Sequence, residues 1–173
     1  MGDDAELVGR ARGGDVEAFA ELVRRYERRV GAVLYRLLDD PRDVEEAVQD
    51  VFVQAWRNLD RFRGESALFT WLYRIAVNEA LMGRRRKRPA LDPLEDAPDR
   101  AQDEPDVELR AFLVTQLRAL PFEYRAPLVL RDVEGFSNQE VAEVLGLSLA
   151  AAKSRIHRAR MQIRAELEAW ERR

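Results

Sequence analysis

Along residues 1–88 the apolar positions recur at intervals of three and four, and no run alternates apolar with polar residues between Asn-Gly or Asp-Gly turns. The spacing predicts four helices, over about 4–12, 15–38, 41–59 and 66–86. Their starts carry their own chemistry: Gly13 and Gly14 stop the first helix before Asp15 caps the second, and Asp40 precedes Pro41 as an N-cap before a first-turn proline. In the third helix Val44, Ala47, Val48, Val51, Phe52, Ala55 and Leu59 form the stripe to be buried. That leaves Glu46, Gln49, Asp50 and Val53 on another face. On the pattern alone such a polar stripe is a solvated surface.

The last third of the chain is patterned more sharply. A helix is expected over 107–120, and a second from Pro121 to a stop at Gly135. Ser137 with Glu140 reads as a capping box opening a short helix with Val141, Ala142 and Leu145 inward, which stops at Gly146. Ser148 then caps a longer helix whose apolar residues are Leu149, Ala152, Ile156, Ala159, Ile163 and Leu167. This is a helix-turn-helix: small Ala142 allows close approach, Gly146 makes the turn, and Leu147 plugs beneath it. Its second helix displays Lys153, Ser154, Arg155, His157, Arg158 and Arg160, the cationic set suited to reading a major groove, since arginine contacts guanine bidentately and phosphate by charge. The competing reading is an αα-hairpin with a solvated basic face.

Charge separates these two regions. The chain of 173 residues has net charge −3, which divides as +1 over 1–88, −7 over 89–108 and +3 over 109–173. The middle segment holds four of the seven prolines and few large apolar residues, so it cannot repay its own ordering and reads as an extended linker. Two small helical domains, 1–88 and 109–173, follow. With 46% apolar residues there is enough material for their cores. Cysteine is absent and His157 is the only histidine, which removes disulfides, thiolate sites and multi-histidine zinc sites. No apolar run reaches the roughly 20 residues that span a bilayer, so a cytoplasmic protein with no membrane insertion is expected. Neither a nucleophile-base constellation nor a Gly-rich phosphate loop is present, so no enzyme and no cofactor or metal is expected.

The fourth helix ends in the run RRRKR at 84–88, beside the aromatic and polar segment FRGESALFTWLYRIAVN at 62–78. Five cations can complement a helix C-terminus or hold phosphates, and Trp71, Leu72, Ile75 and Ala76 can be core or, in Trp71, a platform for unpaired bases. The pattern by itself leaves both open.

Taken together, GDVEAFAELVRRYERRV, DPRDVEEAVQDVFVQAWRNLDRFRGESALFTWLYRIAVNEA, LPFEYRAPLVLRDVEGFSNQEVAEVLGLS and AKSRIHRAR resemble the bacterial extracytoplasmic-function sigma factors of the sigma-70 family, in the family's order over about 13–164. The resemblance implies an all-α transcription initiation factor with a sigma2-like and a sigma4-like domain. Its partners would be core RNA polymerase, through the β′ clamp helices and the β flap, promoter DNA, and an anti-sigma factor. It further implies that Glu46, Gln49 and Asp50 contact the clamp helices, and that the segment with Phe62, Arg63 and Trp71 serves strand separation and capture of a −10 base. Arg74, Asn78, Arg84, Arg85 and Arg86 would belong to the −10 reading and phosphate-holding helix, and Lys153, Ser154, Arg155, His157, Arg158 and Arg160 to the −35 reading helix. Two departures bear on promoter preference: Leu149, Ala150, Ala151 and Ala152 replace the family's common Val-Gly-Thr-Val, and Met82 stands where aspartate is frequent. The rival class, a free-standing helix-turn-helix regulator, has no use for the stripe of Glu46, Gln49 and Asp50 or for the aromatic-basic fourth helix.

Overall fold

Helix α1 (Gly2–Arg12) opens the chain in the computed structural model, which describes residues 2–86 and 107–172. It is followed by α2 (Val16–Leu37), α3 (Pro41–Arg57), a 3-10 turn (Leu59–Arg61) and α4 (Leu68–Arg86). Then come α5 (Val107–Ala119), α6 (Phe122–Leu128) running into a π turn (Val129–Val133), α7 (Asn138–Leu145) and α8 (Leu149–Glu171). Among the described residues there is no strand, and the chain divides into two units, 1–88 and 89–173. Residues 89–106 of the expected linker, with Lys87 and Arg88 of the basic run, lie outside the described residues; Val107 and Glu108, also assigned to that linker, form the first turn of α5.

In the first unit the caps are made as their residue types dictate. Asp15 accepts a hydrogen bond from the amide of Ala18 at 3.1 Å, and Asp40 from that of Arg42 at 2.9 Å with Pro41 behind it. Helix α2 packs against α3 and α4, and its Val30, Val33, Leu34 and Leu37, with Val51 and Ala55 of α3 and Tyr73 and Ala76 of α4, are fully buried. Each such large side chain contributes about 1.5–3 kcal/mol on burial. The outer part of the expected α3 stripe, Val44, Ala47 and Val48, is only half-buried.

Helix α1 is clasped to α2 by charge: Arg25 pairs with Asp3 at 2.6 Å and Asp4 at 3.2 Å, held also by Glu21 of its own helix at 3.0 Å, while the Tyr26 hydroxyl donates to Asp4. From its far end Arg12 donates to the carbonyls of Leu59, at 3.1 Å, and Phe62. These bonds fix the 3-10 turn where one helix was expected to run through to residue 59. The turn in turn sets the position of Phe62 and the start of α4, two residues later than the period suggested.

The second unit is organised around α8, against which α5, α6 and α7 pack. Arg125 is 3% exposed, yet satisfied: it donates to the carbonyls of Leu120, at 3.2 and 3.1 Å, and Arg118, which are orphan acceptors at the C-terminal end of α5. The expected helix from Pro121 to Gly135 is not continuous. Pro127 removes the amide that would bond back to Glu123, and beyond it the bonding widens, with the Glu134 amide reaching Val129 at 3.0 Å, before Gly135 turns the chain at φ +76°.

The helix-turn-helix is present in full. Ser137 and Glu140 cap reciprocally, at 3.2 and 2.8 Å, and Gly146 takes the left-handed φ of +63° that an L side chain avoids. The Leu147 amide donates to Ala142 at 2.8 Å, and Ser148 caps α8 through the amide of Ala151. Ala152, Ile156 and Ala159 are buried as expected. Leu149 is instead 39% exposed on the first turn, while Leu145, Leu147, Ile163 and Leu167 are half-buried and Val144 is buried.

Candidate nucleic-acid interface

With Ala152, Ile156 and Ala159 facing inward, the 3.6-residue turn forces Lys153, Ser154, His157 and Arg158 to the opposite side of α8, and all four are exposed. Ala150, Leu149 and Met161 extend the same open face. Arg155 sits at its edge and is half-buried. This is a basic face on a helix capped at its start and backed by α7, the geometry of a recognition helix.

Arg160 departs from the expected cationic row. Its guanidinium is bound bidentately by Asp132 of the π turn, at 2.8 and 2.5 Å, and the hydrogen bond to Asp132 raises its pKa further above the ordinary arginine range. The fork expected to meet DNA is occupied from within its own unit. Nothing local in the sequence announces this pair, whose members lie 28 residues apart.

On α4, Arg74, Asn78 and Met82 are exposed at four-residue spacing and form one row toward the helix C-terminus, where Arg84, Arg85 and Arg86 close the described part of the helix. At the other end the expected base-capturing segment is assembled differently from its aromatic pattern. Phe62 is only 9% exposed, its ring 5.3 Å from that of Trp71, so it backs Trp71 and is not itself an open stacking surface. Trp71 is half-buried and Arg63 exposed, within 3.9 Å of Glu65.

On α3, Glu46 and Gln49 are exposed and Asp50 half-buried. Glu46 and Asp50 line a groove between α3 and α4 together with Asp43, Ala47, Glu79 and Gly83, giving it a strongly acidic wall. The stripe continues into apolar surface, with Val53 44% exposed and Trp56 39% exposed and edge-on to Phe19 at 4.8 Å. Trp56 lies seven residues beyond Gln49, so the periodicity contained it, but a tryptophan next to a core stripe reads as core.

The comparisons match each unit separately. Residues 22–89 match the family model for sigma-70 region 2, and residues 113–163 that for sigma-70 region 4. The chain is 36% identical to an ECF RNA polymerase sigma-E factor of Haemophilus influenzae, with 95% of both chains covered. It is 35% identical to the RNA polymerase sigma-H factor of Pseudomonas aeruginosa, over 95% of this chain and 94% of that one. Among solved structures it resembles CnrH in complex with the cytosolic domain of CnrY, at 32% identity and a TM-score of 0.74 over 96% of this chain and 98% of that one. It also resembles the sigma factor RpoE bound to the anti-sigma factor NepR from Bartonella quintana, at 25% identity and a TM-score of 0.74 over 87% of this chain and 96% of that one.

Proposed function

The chain belongs to the extracytoplasmic-function sigma factors of the sigma-70 family, and on that premise we propose how its surfaces divide the work of transcription initiation. It is an alternative sigma factor that binds core RNA polymerase and directs it to a subset of promoters. The observation that carries the assignment of surfaces is that each family region falls on its own unit, one bearing the acidic-apolar stripe of α3 and the other the open basic face of α8.

Glu46, Gln49 and Asp50 bind the clamp helices of the β′ subunit; their acidity suits a cationic partner, and Val53 with Trp56 supplies apolar area at the end of the stripe. Arg63 and Trp71, with Phe62 behind the indole, take up the −10 element where the strands part, since a propped aromatic face stacks on an unpaired base. Arg74 and Asn78 read along α4, with Arg84, Arg85 and Arg86 on the adjoining phosphates. Lys153, Ser154, Arg155, His157 and Arg158 enter the major groove at −35. No step requires bond chemistry or a cofactor from this chain, which works where the polymerase does, in the cytoplasm. Among the described residues no helix is long and apolar enough to cross a membrane. The β flap and an anti-sigma factor complete the partner set, the latter supported by the complex of the related RpoE with NepR.

The test is reconstitution: the chain with purified core polymerase, presented with a randomised promoter library. The proposal expects retained DNA to share two elements at fixed spacing, with Arg158→Ala weakening retention of all of them. A library retained without enrichment of either element contradicts it.

A further inference from the structure

The bidentate pair between Arg160 and Asp132 places a carboxylate beside the reading helix. On a 3.6-residue turn Arg160 shares a stripe with His157, three residues before it, and Lys153, seven before it. Asp132 belongs to the π turn, where helical bonding is widened, and follows the buried helix α6 that packs against α8. The pair therefore joins the exposed flank of α8 to a turn that directly follows α6, itself tied to the end of α5 by the bonds of Arg125. The buried face of α8 is formed by Ala152, Ile156 and Ala159, two of them small, which leaves part of the helix's rotational freedom to be fixed by other contacts. A planar fork held at two points removes that freedom in a way that a single charge does not.

We propose that Asp132 and Arg160 form a positioning pair that sets the rotation of α8, so that Arg160 determines −35 selectivity through its neighbours His157 and Lys153 and not by touching DNA. This rests on α8 being the −35 reading helix. It separates Arg160 from the other cations of the same helix, which meet DNA directly.

The experiment measures binding of the reconstituted holoenzyme, containing the full chain, to the duplex selected by the wild type and to a −35 substitution series, at several salt concentrations. The variants are Arg160→Gln, Arg160→Lys, Asp132→Asn and the Asp132→Asn/Arg160→Gln double, with Arg158→Ala for reference. The pair predicts that all four reduce discrimination between preferred and substituted −35 sequences by about tenfold, the size of one good base contact. The double should be no worse than either single, and the salt slope should be unchanged throughout. Arg160→Lys is decisive because it keeps the charge and loses the fork. A phosphate role for Arg160 would instead flatten the slope by about 0.9 in Arg160→Gln, spare Arg160→Lys, and tighten binding in Asp132→Asn as the cation is freed; that result overturns the proposal. So does a lower fraction of active holoenzyme with the wild-type base preference intact, which marks a pair that only stabilises the fold. If Arg158→Ala also leaves binding unchanged, the assignment of α8 as the reading helix has failed, and the pair falls with it.

Discussion

Arg155 and Arg158 stand three residues apart on α8, yet their surroundings differ enough to give them different work. Arg155 is half-buried at the edge of the basic face and lies nearer the N-terminus of α8, the part of a recognition helix that approaches base edges. Arg158 is open to solvent and meets a partner chiefly through charge. Replacing Arg155 with alanine should cost about 1–3 kcal/mol on the preferred −35 sequence and relax the preference at one or two positions. Replacing Arg158 should weaken all sequences alike and lower the salt slope by about 0.9. Holoenzyme binding across a −35 library at two salt concentrations checks both, and a uniform loss for Arg155→Ala reverses the roles. The clasp between α1 and α2 adds a titration. Tyr26 is pushed up to about 12, first by burial and then by its hydrogen bond to Asp4. A phenol whose folded pKa is raised stabilises the fold fully below its ordinary value near 10 and ceases to do so as pH rises through about 12. The phenolate absorbance of the intact chain should show a late phase near that pH, which Tyr26→Phe abolishes; an unchanged titration in Tyr26→Phe contradicts the assignment.

Helices and caps were legible in the sequence because their causes are local. Asp15, Asp40, Ser137 and Ser148 all accept the amide bonds that their positions called for, and Gly146 has the positive φ its place demanded. What escaped the pattern depends on partners far along the chain. Arg12 sets the 3-10 turn from 47 residues away, and Asp132 claims Arg160 from 28. Neither periodicity nor propensity carries such information. The exposure of Leu149 escaped for a related reason: a leucine after a cap looks alike to a pattern whether it faces inward or outward. The most telling element is α6, where a buried cation replaces the apolar residue a core position would suggest. Arg125→Met should cost about 1–3 kcal/mol, because it strands the carbonyls of Arg118 and Leu120 at the end of α5. Thermal unfolding of the full chain measures it, and a loss below about 0.5 kcal/mol, the level of an exposed substitution, would show that the guanidinium is not holding α5 to α6.

At the level of the whole molecule, function lies in the contrast between its surfaces. One unit presents an acidic stripe on α3 and the polar row of Arg74 and Asn78 on α4; the other presents cations on α8. Division of the chain into helical units was readable from charge and proline content, and the family from its motifs, because both are properties of long stretches. The residues that meet each partner are a finer matter, since exposure on a helix face permits a contact without choosing it. The account stands or falls on the step that joins the protein to its machine. Gel filtration of the full chain with purified core RNA polymerase, run beside the Glu46→Lys/Asp50→Lys double variant, measures that step. Glu46 is exposed and Asp50 half-buried at the groove, neither in the core, so helicity should be kept, with Glu46→Lys changing stability by under about 0.5 kcal/mol. The wild type should co-elute with the polymerase while the double variant elutes alone at its own volume. Co-elution of both, or of neither, contradicts the account.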